Sequence, residues 1–155
     1  MARFYAQDCR NSVITLLQDS SSGFNVMIGT VNTERTHTAP TATGIVYNWG
    51  RNQFPFLLVD VRTSEVNYES AGITLELSNL PEVHNITVYG YLKAADDNIN
   101  NWVEDWIEAI IRVLHDYCDS NITWIAYTST DRDEIYKNEN EVIKVFGVNF
   151  EVRIN

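Results

Sequence analysis

The sequence predicts an α+β fold: a mostly antiparallel sheet with a long amphipathic helix, about residues 96–119, and an N-terminal helix packed on it. Three observations carry that expectation. From Ile99 to Cys118 the apolar residues Ile99, Trp102, Val103, Trp106, Ile107, Ile110, Ile111, Leu114, Tyr117 and Cys118 are separated by one, three or four positions, the spacing of one helical stripe. Residues 82–94 and 142–154 alternate instead with the period of a strand. Strands and helices also follow one another without the regular βαβ order of a parallel sheet.

Length and charge narrow the field. A chain of 155 residues with 45% apolar and 12% aromatic content can bury a core as one domain, and its composition is not that of a disordered chain. Eleven basic residues against twenty-one acidic ones leave a net charge of −10, which disfavours free binding to DNA or RNA. It favours solubility, or a surface that repels a polyanion. There is no apolar run long enough to span a bilayer and no leader pattern, so a soluble protein without a targeting signal or membrane partner is expected. Cys9 and Cys118 both fall on predicted helical stripes and read as buried free thiols in a reducing compartment.

Each element has its own warrant. Residues 3–19 carry Phe4, Tyr5, Cys9, Val13, Leu16 and Leu17 at helical spacing, stopped by Ser20-Ser21-Ser22-Gly23. Phe24, Val26 and Ile28 alternate loosely and suggest a short strand over 24–31. Residues 32–44, rich in threonine and without periodicity, read as a long loop, a kind of segment that is usually functional or mobile. Residues 45–49 form a weak strand. Residues 54–61 (FPFLLVDV) form a strong one, apolar enough for burial on both faces, with Pro55 confined to its start or to an edge. Residues 62–80 are mixed, with a brief alternation at Ile73, Leu75 and Leu77. In the strand 82–94, His84, Ile86, Val88, Gly90 and Leu92 face the core and Tyr89 and Tyr91 face away. Asp96 or Asp97 starts the long helix as its cap. Its polar face carries Asn100, Asn101, Glu104, Asp105, Glu108, Arg112, His115 and Asp116. A strand over 121–129, a charged and partly helical connection over 131–140, and a last strand over 141–154 bent or bulged at Gly147 complete the chain.

No chemical motif stands out. The glycine-rich phosphate loops are absent, and His37, His84 and His115 lack partners at zinc-ligand spacing. Asp131-Arg132-Asp133-Glu134 lacks the glycine and terminal glutamate of a calcium loop. No catalytic residue, cofactor or metal is expected. Trp49, Tyr89 and Tyr91 are the unusual residues: aromatics away from the helix either pack under a second layer or meet another chain.

The stretches FPFLLVDVRTSEV (54–66), HNITVYGYLKAADDNINNWVEDWIEAIIRVLHDY (84–117) and VIKVFGVNFEVRI (142–154), in this order after an N-terminal helix, resemble the tail-terminator or tail-completion proteins of long-tailed bacteriophages. The resemblance implies a non-enzymatic virion structural protein of the tail or neck, assembled in the host cytoplasm. It would be a homo-oligomer, a hexameric ring that caps the tail tube and joins it to the head connector, with DNA passing only as a polyanion through an acidic lumen. Under it, Thr36, His37, Thr38, Trp49, Arg51, Tyr89 and Tyr91 are candidates for subunit contact. Glu104, Asp105, Glu108, Asp131, Asp133 and Glu134 are candidates for the lumen charge. Two other classes stay open: a small α+β enzyme or ligand-binding domain, and an acidic adaptor that binds a basic partner.

Overall fold

The computed structural model describes residues 5–48, 53–66, 81–94, 98–137 and 141–154. The expected features at Phe4, Trp49, Arg51, the Ile73–Leu77 alternation and the Asp96 or Asp97 cap lie outside the described residues. Within them the architecture is α+β. Three helices, α1 (Ala6–Gln18), α2 (Phe24–Glu34) and α3 (Ile99–Leu114), cover one face of a sheet of five strands, β1 (Gly44–Val46), β2 (Phe56–Val66), β3 (Glu82–Ala94), β4 (Ile122–Lys137) and β5 (Val142–Ile154). The strands lie in the order β1-β2-β3-β5-β4, and only the short β1–β2 pairing is parallel.

Helix α1 (Ala6–Gln18) buries Cys9, Val13, Ile14 and Leu17, and Asp8 reaches back to accept the Tyr5 N–H at 2.7 Å. The turn after it is closed by Asp19, whose Oδ1 accepts the backbone N–H groups of Ser21 and Ser22 at 2.8 and 2.9 Å. Those bonds favour the charged form and hold its carboxyl down at about 2. A Cβ at Gly23 would overlap the carbonyl oxygens of Asp19 and Leu17, so the turn needs glycine.

Residues 24–31 are not the expected strand but the body of α2 (Phe24–Glu34). Phe24, Ile28 and Val31 are four and three positions apart and sealed from solvent, whereas Val26, which completed the apparent alternation, is 42% exposed. The stretch fits both periods, and burial against α3 selects the helical one. The expected loop therefore opens as the last turn of α2. The rest of it, residues 35–43, is an extended strap that leads into β1 (Gly44–Val46).

Strand β2 (Phe56–Val66) runs five residues beyond the expected end. Its burial on both faces holds only at the start: Phe56, Leu57 and Val59 are buried, while residues 62–65 are exposed. Strand β3 (Glu82–Ala94) has the expected limits and facing. It pairs antiparallel with β2 on one side and β5 on the other, and Tyr91 stacks on Phe56 with centroids 4.6 Å apart.

Helix α3 (Ile99–Leu114) is shorter than expected at its C-terminal end. His115 is extended and Asp116 adopts φ 68°, a left-handed conformation that stops the helix. Cys118 thus leaves the apolar stripe and is exposed, against expectation, while Cys9 is buried.

The expected charged connection after Ser129 is strand: β4 (Ile122–Lys137) continues to Lys137 beside β5 (Val142–Ile154). Three register shifts, at Ile122/Trp124, Tyr127/Ser129 and Glu134/Tyr136, absorb its irregularity. The bulge expected at Gly147 is absent. The register runs unbroken through Gly147 on both sides, and Phe146, Val148, Phe150, Val152 and Ile154 keep one parity toward the helices. The irregularities sit on β4 because it is the edge strand, and β5 is held from both sides.

The core lies between the helices and this sheet face. Trp106 is wholly buried there, edge-on to Phe24 at 4.7 Å and to Phe146 at 6.4 Å. Gly90 makes room for Phe146: a Cβ at Gly90 would overlap the Phe146 ring. Gly90→Ala is therefore expected to cost about 1–3 kcal/mol as an overpacked core. Chemical denaturation checks this, and Phe146→Leu in the same chain should recover part of the loss.

Candidate functional site

The strap is stitched down rather than loose. Asn32 and Asn25, seven residues apart and so two turns along one face of α2, each clamp the backbone of one strap residue. Asn32 accepts the Ala39 N–H at 2.9 Å and donates to the Ala39 carbonyl at 3.0 Å; Asn25 does the same with Ala42 at 2.8 and 3.2 Å. Trp106 Nε1 donates to the Pro40 carbonyl at 2.9 Å. Arg35 Nη1 reaches Asp105 Oδ1 at 3.0 Å. The paired asparagines carry a signal only once 24–34 is known to be a helix, which is why the sequence reading missed them.

Of the contact candidates on this strap, Thr36 and Thr38 are exposed. His37 instead turns toward α3, with Nδ1 3.9 Å from Asp105 Oδ2.

The carboxylates of α3 do not form a free acidic surface. Asp105 is fully buried and paired with Arg35, a correction to its place among the lumen charges. Its helical position fitted the polar face, but the strap covers it. Glu104 receives both Nε and Nη2 of Arg132, at 2.8 and 3.0 Å. Arg112 bridges Glu108 at 2.9 Å and Glu34 at 2.7 Å, and its hydrogen bond lowers the Glu34 carboxyl. Exposed pairs of this kind contribute little to stability, yet they neutralise the helix surface. The side chains of Asp133 and Glu134 lie outside the described residues.

Asp131 lies on the opposite face of the sheet, where no described helix packs, and with it a row of polar side chains. Asn149 donates to Asp131 Oδ2 and Ser129 Oγ, each at 3.0 Å, and accepts the Thr87 hydroxyl at 2.6 Å. Asn85 donates to Thr63 at 2.6 Å, and Arg62 donates to the Tyr89 hydroxyl. Arg62 on β2 and Asp131 on β4 line the same two depressions although β3 and β5 lie between them, so this face is concave. Tyr89 and Tyr91 are half-buried on it, without a covering layer of described helix.

Among the described residues both sheet edges are half covered. Strand β1 covers only Phe56 to Leu58 of β2. At the other edge, residues 115–119 run beside the start of β4. Asp116 N–H donates to the Ile125 carbonyl, Ile125 N–H to the Tyr117 carbonyl, and Tyr127 N–H to His115 Nδ1. Among the described residues no backbone outside β5 pairs with this edge from Thr128 onward.

Two reactive groupings were tested for chemistry. Ser64 Oγ lies 2.6 Å from His84 Nδ1, and His84 Nε2 lies 3.1 Å from Glu82 Oε2, the order of a serine–imidazole–carboxylate relay. The imidazole is 1% exposed, enclosed between the two strands. The arrangement ties β2 to β3. Burial, with Asp8 and Asp119 nearby, pushes the Cys9 thiol up to about 12. A thiol reagent at neutral pH should therefore modify one cysteine of the native chain, Cys118, and both after unfolding. Among the described residues no group of three or more potential ligands could hold a metal ion, and no helix is long and apolar enough to cross a membrane.

These features define a small α+β protein whose polar clusters tie elements together; among the described residues one concave sheet face and two half-open edges carry no covering element. No family model matches the sequence, and no curated protein does. Among solved structures, a chain of the virion of a native gene transfer agent particle shares the fold. The TM-score is 0.54 at 11% identity, over 92% of this chain and 90% of that one.

Proposed function

We propose that this chain is a virion structural protein: a neck-type subunit whose copies form a hexameric ring that closes the tail tube and joins it to the head connector. The single observation that carries this reading is the shared fold, along almost the whole of both chains, with a protein of a virion particle. The surface supports it. Two half-open edges at opposite ends of one sheet can be satisfied by the next copy, and a head-to-tail contact of that kind forms a ring when its rotation closes. The charged residues Asp60, Arg62 and Glu65 on one edge and Asp131 and Arg132 on the other restrict pairing to a matched neighbour.

The concave face is the better lumen lining. Its polar groups are largely satisfied by one another, so a passing polyanion finds few ligands. Its acidic residues there, Asp60, Glu65, Asp131 and Glu151, outnumber Arg62, Lys93 and Arg153, and Glu151 and Arg153 pair with each other at 2.7 Å. Light scattering followed by negative-stain microscopy of the full chain, alone and mixed with tail tubes, tests the proposal. Rings of six subunits, free or on tube ends, are expected. A chain that stays monomeric and leaves tube ends bare would refute it.

A further inference from the structure

We propose that His37 and Asp105 form a proton-operated latch that tightens the strap 35–43 on α3 when the imidazole is protonated. The geometry is specific. Asp105 is fully buried, and only one of its carboxylate oxygens is used: Oδ1 binds Arg35, while Oδ2 has no hydrogen-bond partner. The atom facing Oδ2 is His37 Nδ1, itself buried and without a partner, 3.9 Å away. That distance is too long for a hydrogen bond, and a shift of about 1 Å makes one. A buried carboxylate oxygen without a donor is costly, so closure has a driving force. The His37 side chain as a whole is 34% exposed, so its proton can come from solvent.

Neutral imidazole offers one donor, and the tautomer decides which nitrogen carries it. Protonated imidazole must donate from Nδ1 and adds a charge opposite to that of Asp105. The other charged groups of the neighbourhood are already matched. From the strap, Arg35 holds Oδ1. At the end of α2, Glu34 is held by Arg112 of α3, which also holds Glu108. Glu104 of α3 is held by Arg132 of β4. Asp105 is thus the carboxylate that responds to His37. The strap is the part of the surface that changes, because it presents Thr36 and Thr38 and is anchored at Ala39, Pro40 and Ala42. The sign follows: uptake of a proton by the imidazole favours closure, and its loss as pH rises releases the strap.

Amide hydrogen exchange on the full chain tests the latch, read at the Ala39 and Ala42 N–H groups as protection factors corrected for the intrinsic pH dependence. Protection should rise about tenfold between about pH 8 and about pH 5.5, the gain of one charge-assisted hydrogen bond. In His37→Gln, which keeps a hydrogen-bonding side chain but cannot take up a proton, it should stay flat. Equal protection at both pH values in the wild type, or the same rise in His37→Gln, would overturn the proposal. Nitrogen-15 spectra of the wild-type imidazole give a readout without a variant. An Nδ1–H bonded to a carboxylate must appear as pH falls, and its absence counts equally against the latch. Neither measurement depends on ring assembly.

Discussion

Trp106→Ala is expected to lower the stability of the chain by about 3–5 kcal/mol, the cost of deleting a buried aromatic and leaving a cavity. The indole is fully buried between Phe24 of α2 and Phe146 of β5, so the cavity would open where helix layer and sheet meet. Its N–H also fixes the strap through the Pro40 carbonyl. Trp106→Phe separates the two contributions. It restores much of the volume but leaves that carbonyl without its donor, and should cost about 1–3 kcal/mol. Thermal and chemical denaturation of both variants checks the pair. An unchanged midpoint for Trp106→Ala would remove α3 from the centre of the core.

Arg35→Ala should be nearly as damaging, at about 3 kcal/mol, although more than a third of the Arg35 side chain is exposed. The cause is the group left behind. Asp105 is fully buried, and removing its cation leaves an uncompensated charge in the interior. Asp105→Asn in the same chain should recover most of the loss, because an amide has no charge to desolvate. A double-mutant cycle by urea denaturation measures the coupling. Additive effects would show that the ion pair does not hold the strap. A deletion of residues 33–43, tolerable for a surface loop, is on this account expected to unfold the chain, because Ala39 and Ala42 are buried core residues.

The fold was legible wherever one period had no rival. Residues 82–94 could only alternate, and β3 has the expected limits; the stripe from Ile99 to Leu114 could only be helical, and α3 contains it. Where the pattern fitted two periods, as at Phe24, Val26 and Ile28, local alternation gave the wrong element, because what decided it was the surface of α3 that Phe24 meets. Residues 131–137 of the expected connection looked like one because they are charged, yet strand pairing is made by the backbone, and β5 was there to accept it. The candidate surface was read in part. Tyr89 and Tyr91 do face away from the helices, and Thr36 and Thr38 are exposed, but the acidic face expected on α3 is cancelled by Arg35 of the strap, Arg132 of β4 and the helix's own Arg112.

The sequence by itself determined the class of the protein: one long amphipathic helix, strands with a clear two-residue period, and a charge that disfavours nucleic acid as a ligand. Those properties belong to neighbours in the chain, and periodicity records them. Only the tertiary structure decided which charges remain free. Arg35 and Asp105 are seventy residues apart, Arg112 and Glu34 seventy-eight, Glu104 and Arg132 twenty-eight. No local pattern links such residues. Their pairing is a consequence of how the strap, α2 and β4 pack around α3, and it moves the surface available for function from the helix to the concave face and open edges of the sheet.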